Sequence, residues 1–290
     1  MPGNLVVGEQ AFQRFHTLPQ RASRAVSAED YTALAEAAMH GTLSGSSAGG
    51  RAAQVLHFHR QHHRRAPRAG EVFTSGGLTH RPAHARPACV RAPGFANVAG
   101  RRHICRQDAA VRGRRAHFLE FERFDRTATG RVGMVSLPVY DAEYVVAMDN
   151  WAATANRMAE RQLLRAEDAR TLRLLEAYGV LIANTDRHYG NISLRLQDDE
   201  WVLAPAYDML PMLYAPVGGE LVPRNFAERP PQPIAAILPE WAQAKALACT
   251  FWAAAGEASL SDGFRQIAAQ NLSNYSAQCP AQADHPTNWG

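Results

Sequence analysis

The stretch from Glu167 to Asp208 changes its hydrophobic period twice, and those changes restrict what the chain can build around it. Leu172, Leu175, Tyr178 and Ile182 recur at helical spacing, which predicts an inward-packing helix over 167–183. The apolar run stops at Asn184-Thr185-Asp186-Arg187-His188-Tyr189-Gly190-Asn191, a polar turn. Ile192, Leu194 and Leu196 then alternate with polar residues as a strand, and Trp201-Val202-Leu203 returns after the turn Gln197-Asp198-Asp199-Glu200. Such a hairpin brings Asn191 close to Asp208, although they lie 17 positions apart. Two carboxylates and an amide converge, a set able to take a hydroxyl proton and hold a divalent cation. The alternative is a solvated turn in which Asp186 caps the helix, and spacing alone leaves both readings open.

At 290 residues the chain is long enough to bury a sizeable core. No apolar run reaches the length of a bilayer-spanning helix, and Met1-Pro2-Gly3-Asn4 lacks the layout of a secretory signal. Cys89, Cys105, Cys249 and Cys279 show neither C-x-x-C nor zinc spacing, which predicts a reduced, cytoplasmic setting. The formal net charge of +4 conceals a break in composition. Residues 51–116 hold 14 Arg and no Lys against Glu71 and Asp108, leaving 17 basic and 25 acidic residues elsewhere. Seven of the twelve histidines also fall there, and neither a helical nor a strand period persists. Few large apolar residues are available to bury, which predicts a disordered segment. The functional alternatives are an arginine-rich nucleic-acid arm or a histidine metal cluster around His57, His59, His62 and His63. No acidic or cysteine partner completes that cluster.

Upstream, residues 1–50 hold a helix-entry box at Ser27-Ala28-Glu29-Asp30 and a loop of small residues, Gly41 to Gly50, able to bring backbone N–H groups to phosphate oxygens. Downstream, Phe118 to Asp125 alternates as a strand, Ser136-Leu137-Pro138 opens a loop, and helices are predicted over 151–163, 241–255 and 260–271. Residues 273–290 form a polar tail.

With these residues assembled, the chain resembles the HipA-like serine/threonine kinases, which include toxins of toxin–antitoxin pairs. The matching pieces are Gly45-Ser46-Ser47-Ala48-Gly49-Gly50, Glu122-Arg123-Phe124-Asp125-Arg126, Asn184 through Asn191, and Tyr207-Asp208. Asp186 and Asn191 also share the spacing of the H-R-D-x-x-x-x-N loop of protein kinases. The resemblance covers residues 1–50 and about 117–270. It implies an α+β, protein-kinase-like bilobal fold with a mostly helical C-terminal lobe, here with a damaged or disordered N-lobe. It divides the chain into a partial N-terminal region (1–50), the anomalous segment (51–116), a catalytic region (117–272) and the tail (273–290). It makes Asp186 the catalytic base and Asn191 and Asp208 the Mg²⁺ ligands. Glu122, Phe124 and Asp125 become the hinge for adenine and ribose of ATP, and Ser46, Ser47, Gly49 and Gly50 the loop at the nucleotide. The implied partners are a protein substrate bearing Ser or Thr and an antitoxin or DNA-binding protein, with no membrane. The competing function is a catalytically dead pseudokinase that binds nucleic acid through residues 51–116.

One departure from the family is large. Family members follow Ala-Gly-Gly with a Glu-Gln-Pro-Lys-Phe-like segment and a Val-Leu-Val-Lys-Phe-like strand whose lysine neutralises nucleotide phosphates. Residues 51–116 contain no lysine, and the chain's single lysine is Lys245. Arg51-Ala52-Ala53-Gln54-Val55 can be encoded CGA GCA GCC CAA GTT C, which from the second base reads Glu-Gln-Pro-Lys-Phe. Arg68-Ala69-Gly70-Glu71-Val72-Phe73-Thr74 can be CGT GCT GGT GAA GTT TTC ACC, which from the same offset reads Val-Leu-Val-Lys-Phe-Ser. Two family motifs, in order and at one common offset, imply that residues 51 to about 116 are translated out of frame between two compensating shifts. Met1 is likewise expected to be an internal start. Sequencing the coding DNA in independent clones is expected to show the two shifts; a clean open frame in every clone refutes them.

Overall fold

The computed structural model describes residues 8–17, 54–59, 68–74, 109–112, 117–122, 124–125, 132–215, 230–257 and 260–276, with Ala33, Arg224 and Phe226 as single positions. The elements in chain order are α1 (Glu9–Thr17), β1 (Gln54–His59), β2 (Arg68–Thr74), β3 (Ala109–Arg112), β4 (His117–Glu122) and β5 (Met134–Ser136). There follow α2 (Leu137–Tyr140), α3 (Trp151–Glu160), α4 (Ala166–Leu181), β6 (Ser193–Gln197), β7 (Glu200–Leu203), α5 (Trp241–Glu257) and α6 (Asp262–Ser276). Two antiparallel sheets are present among the described residues, one ordered β1-β2-β4-β3 and one ordered β5-β6-β7.

Helix α4 is the centre of the core. Its entry is acidic, as the positive end of the helix dipole favours, and the Asp168 carboxylate accepts from the Arg165 guanidinium at 2.8 Å. The period predicts one buried face, but Ala169, Leu172, Leu174, Leu175, Tyr178 and Leu181 are each at most 1% exposed. The wider burial arises because α3 and α5 both pack against α4, so almost its whole circumference is enclosed. Each leucine among them, taken fully from water, contributes about 1.5–3 kcal/mol. A second contact between distant elements is polar. Arg173 of α4 donates twice to the buried Glu240 carboxylate, at 2.9 and 3.2 Å, and once to Asn156 of α3 at 3.1 Å.

Helix α4 ends at Leu181, two residues before the expected position. Ala183 takes a left-handed conformation at φ 59°, its N–H donates to Val180 O at 3.2 Å, and Asn184 N–H donates to Gly179 O at 2.8 Å. This is a Schellman closure with alanine where glycine is usual. The carbonyls left over are met from far along the chain. Leu181 O accepts from the Trp252 indole N–H at 3.3 Å and the Tyr275 hydroxyl at 3.0 Å, and Ala183 O accepts from Leu213 N–H at 3.0 Å.

The hairpin β6–β7 forms as the alternation predicts, paired from Leu194↔Leu203 to Gln197↔Glu200. Asp198 and Asp199 both have positive φ, 52° and 63°, as a two-residue hairpin turn requires. Several bounds differ from the sequence reading. Helix α3 stops at Glu160 because Gln162 turns left-handed at φ 58°. The expected loop after Ser136 is instead α2 followed by a π-helical turn, Asp141–Val145. Helix α6 continues through Ser276, into the stretch set aside as a tail, because Tyr275 is buried there. Three strands lie within residues 51–116, where no period persists. Strands of four to seven residues need only short apolar runs such as Val55-Leu56 and Val72-Phe73, and the pairing of β1 with β2 and of β2 and β3 with β4 supplies the rest. Cys249 is disulfide-bonded, which cysteine spacing did not disclose. Among the described residues no helix is long and apolar enough to cross a membrane.

Candidate active site

The closure of α4 launches the turn that carries Asp186, and two asparagines hold its main chain. Asn184, fully buried, accepts the Asp186 N–H on Oδ1 at 2.9 Å. Asn191 donates from Nδ2 to Asp186 O at 3.0 Å. The backbone of Asp186 is therefore held on both sides while its carboxylate stays exposed, with His188 Nε2 3.8 Å away. An exposed carboxylate on a held backbone can accept a proton from a group arriving from solvent. It is not a capping residue, since the end of α4 is closed by backbone groups and by the Trp252 and Tyr275 side chains.

Asn191 uses its amide nitrogen on Asp186, and its Oδ1 is buried without a hydrogen-bond partner. An orphaned buried carbonyl oxygen is costly unless something outside the chain fills the role of donor or cation. Asp208 approaches from the other side of the hairpin in a left-handed conformation, φ 57°. Burial pushes its carboxyl above the usual range, the negative Asp186 adds to the rise, and His188 opposes it. A half-buried carboxylate beside a second carboxylate is stabilised by a cation. Among the described residues no three His, Cys, Asp or Glu form a cluster able to hold a metal unaided. A carboxylate and an amide oxygen suit Mg²⁺, which takes few protein ligands and completes its shell with water and phosphate oxygens.

Tyr207 gathers the pieces. Its hydroxyl donates to Gly190 O at 3.0 Å and lies 2.7 Å from Ser193 Oγ, tying Asp208 to the turn that ends at Asn191. Its ring stands 6.0 Å from that of Phe124, inclined by 31°, so the segment after β4 reaches the same place. Asp125 beside it is 2% exposed. Of the residues singled out in the sequence, Asp186, Asn191, Asp208 and Phe124 are thus drawn together. Glu122 ends β4, opposite Gly70, and its side chain is not among those described. Ser46, Ser47, Gly49 and Gly50 lie outside the described residues. Ser193 carried no signal in the sequence, being one polar residue in an alternating strand. At Gly190 a Cβ would lie 2.9 Å from the exposed His188 ring, so that ring would have to shift.

The model of the HipA-like C-terminal domain matches residues 96–275. The chain belongs to the HipA-like family. Its match begins upstream of His117, inside the segment that composition had set apart. Toxin YjjJ of Escherichia coli (strain K12) is 30% identical over 285 residues, a match covering 92% of this chain and 61% of that protein. The chain thus spans less than two thirds of the length of this HipA-like relative. A chain of the Shewanella oneidensis MR-1 toxin–antitoxin complex of HipA, HipB and operator DNA superposes with a TM-score of 0.54 at 15% identity. That superposition covers 90% of this chain and 72% of the other, and shows a common fold.

The position of Asp208 sets a stability test. A carboxyl whose folded pKa is raised contributes stability below its unfolded pKa of about 3.9 and loses it as pH rises through the folded value. Ionised Asp208 therefore costs stability near neutrality. Asp208→Asn is expected to raise Tm by roughly 2–4 °C at pH 7, with the gain vanishing at about pH 4 and below. Thermal unfolding across that range checks it; a variant less stable at pH 7, or a gain independent of pH, contradicts it.

Proposed function

We propose that this HipA-like chain carries the catalytic half of a protein serine/threonine kinase that transfers the γ-phosphoryl group of ATP to a Ser or Thr hydroxyl. The observation carrying this reading is the asymmetric use of Asn191, its Nδ2 on Asp186 O and its Oδ1 buried without a hydrogen-bond partner. Asp186 accepts the proton of the attacking hydroxyl, a role its held backbone and exposed carboxylate allow. Asn191 and Asp208 hold Mg²⁺, which when bound neutralises the triphosphate oxygens. Phe124 and Asp125, with Glu122, hold adenine and ribose, and the tilted pair Phe124–Tyr207 supplies an aromatic wall. Ser46, Ser47, Gly49 and Gly50 form the loop at the nucleotide. The fold is kinase-like and bilobal, with β1–β4 the remnant of one lobe and α3–α6 the other.

Transfer by this chain is weak, because β1 and β2 contain no lysine. We take the out-of-frame stretch, expected over 51 to about 116, as residues 51–95, a reading supported by the family match that begins at residue 96. In the other frame the lysine codon AAG straddles codons 71 and 72. Those two positions pair with Phe121 and Glu120 of β4, the strand leading to the hinge, which is where a phosphate-neutralising lysine belongs. One charge contact to phosphate is worth about 2–4 kcal/mol of transition-state stabilisation, or roughly two to three orders of magnitude in rate. The missing lysine equally favours a second reading, a pseudokinase that acts by binding. The structural neighbour is a toxin–antitoxin complex with operator DNA, so an antitoxin or DNA-binding protein is the partner to seek, in the cytoplasm.

Phosphoryl transfer from radiolabelled ATP to a Ser/Thr protein separates the readings. The kinase reading expects slow transfer abolished by Asp186→Asn. Transfer that survives Asp186→Asn refutes it, and no transfer together with retained partner binding favours the pseudokinase.

A further inference from the structure

Helix α4 is apolar along most of its length, yet Glu176 sits in the middle of it and is 5% exposed. A buried carboxylate is kept only where it is well compensated. Both oxygens of Glu176 are used. Oε1 accepts from Arg187 Nε at 2.9 Å, and Oε2 accepts from Trp151 N–H, the first amide of α3, at 3.3 Å. Neither contact ends there. The Arg187 guanidinium also donates to Asn184 O, and the Trp151 indole N–H donates to His188 O at 3.2 Å. The two branches therefore grip the main chain two residues before and two residues after Asp186. Gly179 makes room for the first branch, since a Cβ there would lie 2.5 Å from Arg187 Cδ. Tyr189 steadies the second, its hydroxyl accepting from Asp149 N–H at 2.7 Å and bonding Thr154 of α3.

We propose that Glu176 is a positioning residue for the Asp186–Asn191 turn, acting through Arg187 and Trp151; its catalytic consequence rests on the phosphoryl-transfer reading of that turn. The side chain touches neither Asp186 nor the orphaned Asn191 Oδ1. It sets where the peptide groups flanking Asp186 stand, and so where the carboxylate is presented. A small misplacement of a reacting group is enough to cost about 100-fold in rate.

Hydrogen exchange on the full chain, read by mass spectrometry, tests the positioning directly. In Glu176→Gln the amides of residues 184–191 are expected to exchange about tenfold faster, with α5 and α6 unchanged. An unchanged turn, or equal acceleration through α5 and α6, overturns the proposal, because the first means no grip and the second a general loss of stability. If Glu176→Gln does not fold, Gly179→Ala leaves the carboxylate in place, displaces Arg187, and carries the same expectation and the same refutation. Wherever Asp186-dependent transfer is measurable, kcat should fall about 10- to 100-fold while KM for ATP stays within about twofold. Transfer that survives Asp186→Asn removes the kinase reading but leaves the exchange result to decide the role of Glu176.

Discussion

The end of helix α4 is the constraint on which the rest of the structure depends. Ala183 is left-handed without being glycine, a conformation that costs an L-residue roughly 1–2 kcal/mol. The closure holds because its carbonyls are met by Trp252 of α5, Tyr275 of α6 and the backbone of Leu213. Each of these buried hydrogen bonds is worth about 1 kcal/mol net, and leaving its acceptor unpaired costs more. The helical core and the segment after Asp208 are thus fastened to the point from which the Asp186 turn departs. Strain of this kind persists only where surrounding packing determines it, and here that packing surrounds the site.

From that point the two carboxylates part company. Asp186 faces solvent on a backbone pinned by Asn184 and Asn191, whereas Asp208 is drawn into lower dielectric on its own left-handed residue. The first arrangement leaves a carboxylate open to a proton, and the second makes a carboxylate that gains from a cation. Tyr207 sets the separation between them by bonding Gly190 O with its hydroxyl while its ring meets Phe124. On the proposed reading, these two carboxylates are the proton-accepting and cation-holding half of a phosphoryl-transfer site. What β2 lacks is a lysine.

Much of this was legible in the residues. The helical period through Leu172, Leu175 and Tyr178, the alternation through Leu194 and Leu196, and the adjacent Asp198-Asp199 located the helix, the hairpin and its turn. Those signals are local, and local periodicity survives folding. What stayed hidden depends on contacts between distant parts. An alanine at the helix closure carries no glycine signature, so the end of α4 was placed late. Ser193 differs from any other strand serine only by facing Tyr207. Strands β1–β3 carry no clean alternation in a stretch dominated by Arg, His, Ala and Pro, and their pairing with each other and with β4 is set by contacts outside each strand. Glu176 did leave a trace, a single acid between Leu175 and Ala177, but its partners lie 11 and 25 residues further on or back.

The central proposal is a catalytic turn at Asp186 facing a phosphate clamp lost to the reading frame. Its most direct measurement compares phosphoryl transfer by this chain with that by a chain in which residues 51–95 are replaced by the other-frame translation of its own coding DNA. The account predicts at least about a 100-fold rise on replacement, abolished by Asp186→Asn in the replaced chain. Equal transfer by the two chains, or a rise indifferent to Asp186→Asn, would contradict it.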